Sequence, residues 1–300
     1  MNEKKKCPNC GLLIDSDMKS CPYCGFILDE KEDDKEENQI DKNRVDEKKI
    51  VQRLTNEETK KPKVKFLSSK NEENISYIKR LLLFFFMIIG LSLISSLVVV
   101  ISNKVNPYFL KTLTGQAIIN FSLYFVAFGA CLLILNSDCI KVFKKYTKGK
   151  TYLNGISYGV LLIILSSTYN VIIHFFFPDL NSNNNENTIN QIVGAFPILS
   201  IIIFGVIGPM CEEFAYRLGL FGFLKKYNRI FAYIISALIF GFIHFDFEGD
   251  MFTELLNIPS YIMSGLFLCY VYDIKGLETS TIAHATNNLV SIILTIFYTL

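Results

Sequence analysis

Three pairs of polar or aromatic side chains interrupt the apolar half of this sequence, each with a spacing of four residues. They are Glu213 and Arg217, Phe240 and His244, and His284 and Asn288, and a further acid, Glu212, directly precedes the first pair. Residues four apart lie on the same face of a helix, so the members of each pair can point in one direction. A carboxylate activates water as a general base, while imidazole and amide groups stabilise an oxyanion. The residue types therefore indicate hydrolysis.

These side chains are unexpected because their surroundings are apolar. The stretch 201–211 contains no charged residue and leads directly into Glu212. A charge at the centre of a membrane helix costs roughly 2.5–3.5 kcal/mol, and chains that keep such residues usually use them for chemistry or transport. We therefore expect an enzyme that works within the bilayer.

Composition divides the chain sharply. It has 300 residues, 51% of them hydrophobic, and a net charge of +2, which gives no reason to expect nucleic acid as a partner. Residues 1–78 are polar, whereas 81–101 carry no charge and are long enough to cross a hydrocarbon core of about 30 Å. No cleavable signal peptide opens the sequence, so we expect the first spanning helix to direct insertion.

The apolar part predicts an all-α polytopic membrane protein with about seven transmembrane helices. We place them near 79–102, 116–136, 152–176, 194–224, 229–246, 255–273 and 278–299. Lysines and arginines concentrate in the loops of one side, near Lys79, Lys145 and Lys225, and the opposite side is mainly acidic. The positive-inside rule then predicts a multi-pass membrane protein with a cytoplasmic N-terminus and an external C-terminus.

Four N-terminal cysteines form two copies of one short pattern. Cys7 and Cys10 make the first C-x-x-C, Cys21 and Cys24 make the second, and a glycine follows each copy. Four thiolates at this spacing suit a structural Zn²⁺, and a pair of disulfides is the alternative. We predict a zinc ribbon over 1–28, which could recruit a protein partner. A charged flexible linker over 29–76 and a transmembrane domain over 77–300 would follow.

Helix geometry predicts that the polar residues converge. If each helix starts or ends at the cytoplasmic face, Glu212 lies roughly 18 Å from that face, His244 roughly 22 Å and His284 roughly 10 Å. Pro209 lacks the N–H that would bond to the carbonyl of Gly205, so we expect a kink that admits water. The site should lie near the midplane or in the cytoplasmic half.

The three motifs together resemble the CAAX protease and bacteriocin-processing family of intramembrane proteases. The family pattern is E-E-x-x-x-R, then F-x-x-x-H, then H-x-x-x-N, and it is met here in order over about 190–300. The resemblance implies an endopeptidase that cleaves a membrane-associated peptide or protein. Its implied roles are general base for Glu212, water binding for His244, and oxyanion stabilisation for His284 and Asn288. Glu213, Arg217 and Phe240 would support the site.

Two questions stay open at this point. Glu212, His244 and His284 could bind an active-site metal with one open position, although the sequence lacks H-E-x-x-H. A non-catalytic function is the second possibility, either as a membrane binder of the immunity or adaptor type or as a transporter with a proton relay. Substrate identity is not encoded in any residue that we can single out.

Overall fold

The computed structural model describes residues 4–7, 9, 11–15, 17–24, 28 and 75–299. Cys10 and most of the predicted linker, residues 29–74, lie outside the described residues. The chain divides into two compact units, Met1–Lys70 and Asn71–Leu300. Each unit is therefore described by itself.

The N-terminal unit contains a small antiparallel hairpin. Strand β1 spans Lys4–Lys6 and strand β2 spans Leu13–Asp15, with Lys5 opposite Ile14. Gly11 has a φ of +74°, a left-handed conformation that glycine adopts without strain, and its N–H donates to the carbonyl of Cys7. This turn places Cys7 directly after β1 and buries its side chain beside Ile14.

All regular secondary structure in the described residues of the second unit is helical. Its helices are α1 Tyr77–Val105, α2 Leu113–Thr147, α3 Gly149–Phe176, α4 Asn184–Ala195, α5 Pro197–Leu224, α6 Arg229–Phe242, α7 Met251–Lys275 and α8 Leu277–Thr299. Within the described chain, six of these are long and apolar enough to cross a membrane, and α6 is a shorter apolar helix. The predicted fold class is confirmed: this is an all-α multi-pass membrane protein.

Two differences from the prediction lie between α3 and α5. The asparagine-rich segment after α3, predicted as a loop, forms α4, because the side chain of Asn183 caps the helix by accepting from the N–H of Glu186. The helix predicted over 194–224 begins instead at Pro197, because Phe196 leaves helical geometry and proline suits a first helical turn.

Helix α5 is irregular around the adjacent glutamates. Its backbone is π-helical over Ile203–Ile207 and again over Glu213–Phe221, with a short α-helical stretch between them. A π turn accommodates one extra residue and so redirects the side chains that follow it. The disturbance predicted at Pro209 thus takes the form of π turns before and after this proline.

Small residues let α3 approach α8 closely. A β-carbon at Gly155 would lie 2.5 Å from the Cβ of Ile282, and one at Gly159 would lie 2.5 Å from the Cβ of Thr286. Helix interfaces in membranes favour small residues because they allow the backbones to come close. This contact fixes the part of α8 that carries His284 and Asn288.

Polar contacts join the helix termini at each end of the membrane unit. At the first end, called the lysine-rich end, Lys79 at the start of α1 pairs with Asp138 in α2 at 2.6 Å, and Lys225 beyond α5 pairs with Asp273 in α7 at 2.9 Å. At the second end, called the α4 end, the buried carboxylate of Glu254 accepts from the main-chain N–H groups of Asn184 and Asp246. The two ends therefore differ in charge, as the loop composition suggested.

Candidate active site

The centre of the site is one imidazole placed between two carboxylates. His284 in α8 has its Nδ1 3.0 Å from Oε1 of Glu213 and its Nε2 3.8 Å from Oε2 of Glu212. The hydroxyl of Ser280, one turn earlier in α8, donates to the other oxygen of Glu213. An Nδ1–H that donates to Glu213 fixes the orientation of the ring and directs Nε2 toward Glu212.

The two glutamates occupy different environments. The side chain of Glu213 is fully buried, whereas that of Glu212 is 12% exposed and lines a cavity of about 460 Å³. The phenol of Tyr124, in α2, donates to Oε1 of Glu212 over 3.2 Å. Only Glu212 of this pair therefore faces a space that water and substrate can reach.

Glu213 instead belongs to a buried charge network. Its Oε1 lies 3.3 Å from an Arg217 guanidinium nitrogen, and both side chains have no exposed surface. The guanidinium also lies 4.2 Å from the centre of the Phe240 ring, within the range of a cation–π contact. A buried charge is costly unless it is paired, so Arg217 requires Glu213 in this position.

His244 lies outside α6, contrary to the prediction of a fifth helix over 229–246. The helix ends at Phe242, and the N–H groups of His244 and Phe245 then bond to the carbonyls of Gly241 and Phe242 in a turn. Just beyond this turn, Asp246 accepts from the N–H of Glu248. Together with the Asn184 amide, this hydrogen bond lowers the pKa of Asp246, so the turn stays charged. His244 still lines the same cavity as Glu212.

The surroundings of His244 hold its ring in one orientation. Its Nδ1 lies 2.8 Å from the carbonyl oxygen of Phe240, so Nδ1–H donates and Nε2 remains an acceptor. The ring stacks on Tyr261, with centres 4.3 Å apart and planes 13° apart. The amide of Asn183 donates to the Tyr261 hydroxyl over 3.3 Å. The position of this imidazole thus depends on α4 and α7.

Asn288 lies one helical turn after His284 and also lines the cavity. Its amide nitrogen donates to the carbonyl of Phe204 over 3.2 Å, at a point where α5 is π-helical. An amide nitrogen carries two hydrogens, so one remains for a substrate. The side-chain amide of neighbouring Asn287 donates to the side-chain oxygen Oδ1 of Asn288 and lines the cavity as well.

The structure places the sequence-predicted residues in two groups. Glu212, His244, His284, Asn288 and Phe240 all line one cavity, and Glu213 and Arg217 are buried behind it. Sequence reasoning missed Tyr124 and Tyr261, which contact Glu212 and His244 directly, and Asn183, which binds the Tyr261 hydroxyl. Nothing in the sequence signalled them, because tyrosine and asparagine at these positions belong to no motif.

Among the described residues, the side chains that are spaced like the ligands of one metal ion belong to the N-terminal unit. Cys7, Cys21 and Cys24 have sulfur atoms within 4.8 Å of one another, the one such group of three or more possible ligands in the described residues. Cys7 and Cys24 lie 3.7 Å apart, close to the distance of about 3.8 Å between sulfurs bonded at 2.3 Å to a tetrahedral Zn²⁺. Cys10 would be the fourth ligand and lies outside the described residues.

Glu212, His244 and His284 do not meet the same spacing as a set of three. The pair Glu212 and His284, at 3.8 Å, is close enough to share a metal, but His244 does not complete a group within 4.8 Å. Three donor atoms that each bind one ion at about 2.0–2.2 Å must lie closer than 4.8 Å to one another. The described geometry therefore does not fit the three-ligand metal site considered above.

Comparisons with known proteins agree with the motifs. The family model of the type II CAAX prenyl endopeptidases, Rce1-like, matches residues 194–290, and a zinc-ribbon model matches residues 3–26. No solved structure gives a significant match.

Two curated relatives are similar over longer stretches. A protein of Mycoplasma capricolum subsp. capricolum without an assigned function is 27% identical over 228 residues, 71% of this chain and 65% of its own length. The "Putative membrane peptidase YdiL" of Bacillus subtilis (strain 168) is 24% identical over 155 residues, 49% of this chain and 60% of its own length. The resemblance predicted from the motifs is thus confirmed: the chain matches a zinc-ribbon model near its N-terminus and the Rce1-like CAAX prenyl endopeptidase model over residues 194–290.

Proposed function

We propose that this protein is an intramembrane endopeptidase in which Glu212 activates the water that attacks the peptide bond. The observation that carries the proposal is the contrast between two adjacent acids: Glu212 faces the cavity, whereas Glu213 is buried against Arg217. The Rce1-like match over residues 194–290 and the name of the Bacillus relative support peptidase chemistry.

In the proposed reaction, a water molecule lies between Glu212 and the carbonyl carbon of the substrate. Glu212 takes a proton as the water oxygen attacks, and Nε2 of His244 accepts a hydrogen bond that helps hold this water. The carboxylate later returns the proton to the leaving amine nitrogen. Atoms and charges then balance, and no step passes through a metal.

The developing oxyanion would be stabilised by α8. Asn288 has one amide hydrogen left after its bond to Phe204. His284 presents Nε2 to the cavity while Nδ1 stays on Glu213, so an Nε2–H would point toward the oxyanion. Donors that are already oriented stabilise a developing charge without reorganisation, which is the largest contribution in many hydrolases.

The bilayer location is part of the same proposal. Glu212 is the sixteenth of the 28 residues of α5, near the middle of the helix. The positive-inside rule assigns the lysine-rich end to the cytoplasm and the α4 end to the outside. Cleavage would then take place near the midplane, at or beside the cytoplasmic half of the membrane, on a membrane-associated peptide or protein.

A membrane reporter that is cleaved by the wild-type protein tests the proposal. We expect Glu212→Gln to abolish cleavage at normal expression, and Glu248→Gln, an exposed acid outside the cavity, to retain it. Unchanged cleavage by Glu212→Gln would refute the mechanism. A cellular phenotype that survives both Glu212→Ala and His284→Ala would favour the non-catalytic binder instead.

A further inference from the structure

The cavity extends from the two glutamates toward the α4 end. Glu186 in α4, Asn257 in the second turn of α7 and Thr295 near the end of α8 all line it. The hydroxyl of Thr295 donates to the side-chain oxygen Oδ1 of Asn190 in α4 over 3.2 Å, so α4 and α8 meet at this end. The cavity therefore reaches the end of the membrane unit opposite the lysine-rich end.

The charge of the cavity walls is one-sided. Among the described residues that line it, the charged side chains are Glu186 and Glu212, and none is a lysine or an arginine. Glu186 is exposed, close to the start of α4. Walls of one sign raise the local concentration of groups of the opposite sign and repel groups of the same sign. This cavity therefore favours cationic groups over anionic ones.

The uncharged polar walls suit a polypeptide backbone. Amide side chains recur along the cavity, among them Asn170, Asn185 and Asn257, and serines line it as well. The amide hydrogens of Asn257 already bond to the carbonyls of Asn181 and Thr253, so its side-chain oxygen is the group left to accept. An amide side chain both donates and accepts, as does each peptide group of an extended chain. The cavity thus offers hydrogen bonds to a main chain and no cation to a terminal carboxylate.

A CAAX tail presents the opposite chemistry. The prenylated cysteine is followed by three residues and a free C-terminal carboxylate, so that negative charge would lie within a few residues of the scissile bond. Proteins hold carboxylates chiefly with arginine or lysine, and a carboxylate near Glu186 or Glu212 would be repelled. The CAAX tail in the name of the matched family ends in a carboxylate, whereas the charge of this cavity disfavours a carboxylate.

We propose, on the basis of the peptidase function above, that the cavity takes an internal stretch of polypeptide with a basic side chain beside Glu186, rather than a free C-terminal tail. The substrate class is a membrane-anchored peptide whose chain continues past the cleavage site and carries lysine or arginine on the side of the α4 end. Glu186 is the specificity-determining residue, and the asparagine amides bind the main chain.

Purified full-length protein in proteoliposomes tests this with one family of peptides. All peptides share a membrane segment and differ in one flanking residue, which is Lys, Gln or Glu at each position scanned. The peptides also differ at the C-terminus. It is a free carboxylate three residues past the cleaved bond, an amide at the same place, or a ten-residue extension of the chain. We expect kcat/KM to be about tenfold higher for Lys than for Glu at one position, and about tenfold lower for the free carboxylate.

Three variants separate the possible outcomes. Glu186→Gln should reduce the preference for Lys over Glu to less than about threefold, while Glu248→Gln, an exposed acid at the same end that does not line the cavity, should keep it. A preference for the free carboxylate, or a Lys preference that Glu186→Gln leaves intact, would overturn this inference alone. If no peptide is cleaved in a way that Glu212→Gln abolishes, the peptidase function itself fails.

Discussion

Loss of the buried charge of Glu213 gives the sharpest prediction on stability. Glu213→Gln keeps the shape of the side chain and an oxygen for Ser280, but it removes the negative charge 3.3 Å from Arg217. Both side chains have no exposed surface, so the guanidinium cannot turn toward water. Breaking a buried ion pair from one side costs about 3–5 kcal/mol, a large part of a typical folding free energy of about 5–15 kcal/mol.

The matched control is an ion pair at the surface. Lys141 lies 3.0 Å from Asp138, but its side chain is 75% exposed, so Lys141→Met should cost less than about 1 kcal/mol. The double variant Glu213→Gln with Arg217→Met removes both buried charges and should recover part of the loss of the single variant. Such recovery would show that the penalty comes from an unpaired charge rather than from lost packing.

Thermal unfolding of the purified protein in detergent measures these differences. At about 2–4 °C for each kcal/mol, Glu213→Gln should lower Tm by about 6–20 °C and Lys141→Met by only a few degrees. Equal shifts for the two variants would refute the reasoning, as would a double variant that is less stable than either single variant.

Three further perturbations follow from the structure. Gly159→Ala should cost about 1–3 kcal/mol in thermal unfolding because its β-carbon meets α8, whereas Gly129→Ala, with open space around it, should be neutral; equal costs would contradict the close helix contact. Cys7→Ser should release about one zinc per chain in elemental analysis, and an unchanged zinc content would exclude the ribbon site. Tyr124→Phe removes one hydrogen bond to Glu212 and should lower kcat without lowering Tm; a loss of Tm alone would assign the phenol a structural role.

The motif residues were predictable because charges in apolar helices are rare and their spacing is regular. Glu212, His244 and His284 stand out against their surroundings, and the helical repeat places Asn288 on the same face as His284. Their convergence on one cavity required only that neighbouring helices pack antiparallel, which short loops favour. The catalytic roles of these residues remain predictions.

Other features depend on tertiary contacts and could not be predicted. The segment of α4 is rich in asparagine, a weak helix former, and it is held by the Asn183 cap and by the burial of Ile192 and Val193. Glu254 lies just outside the helix predicted over 255–273, but the structure buries it in the first turn of α7, where it binds two main-chain N–H groups from other segments. Contacts between segments that are distant in sequence leave no local pattern.

The central claim is that Glu212 makes water the nucleophile, and isotope incorporation tests it directly. Purified protein in proteoliposomes would cleave a membrane peptide in ¹⁸O-labelled water, and mass spectrometry would read the new carboxyl group. We expect one ¹⁸O in the new carboxyl group of the N-terminal product, and none in the amine product, for the wild-type protein and for Glu248→Gln, and no cleavage by Glu212→Gln. Labelled product from Glu212→Gln at the wild-type rate would contradict it.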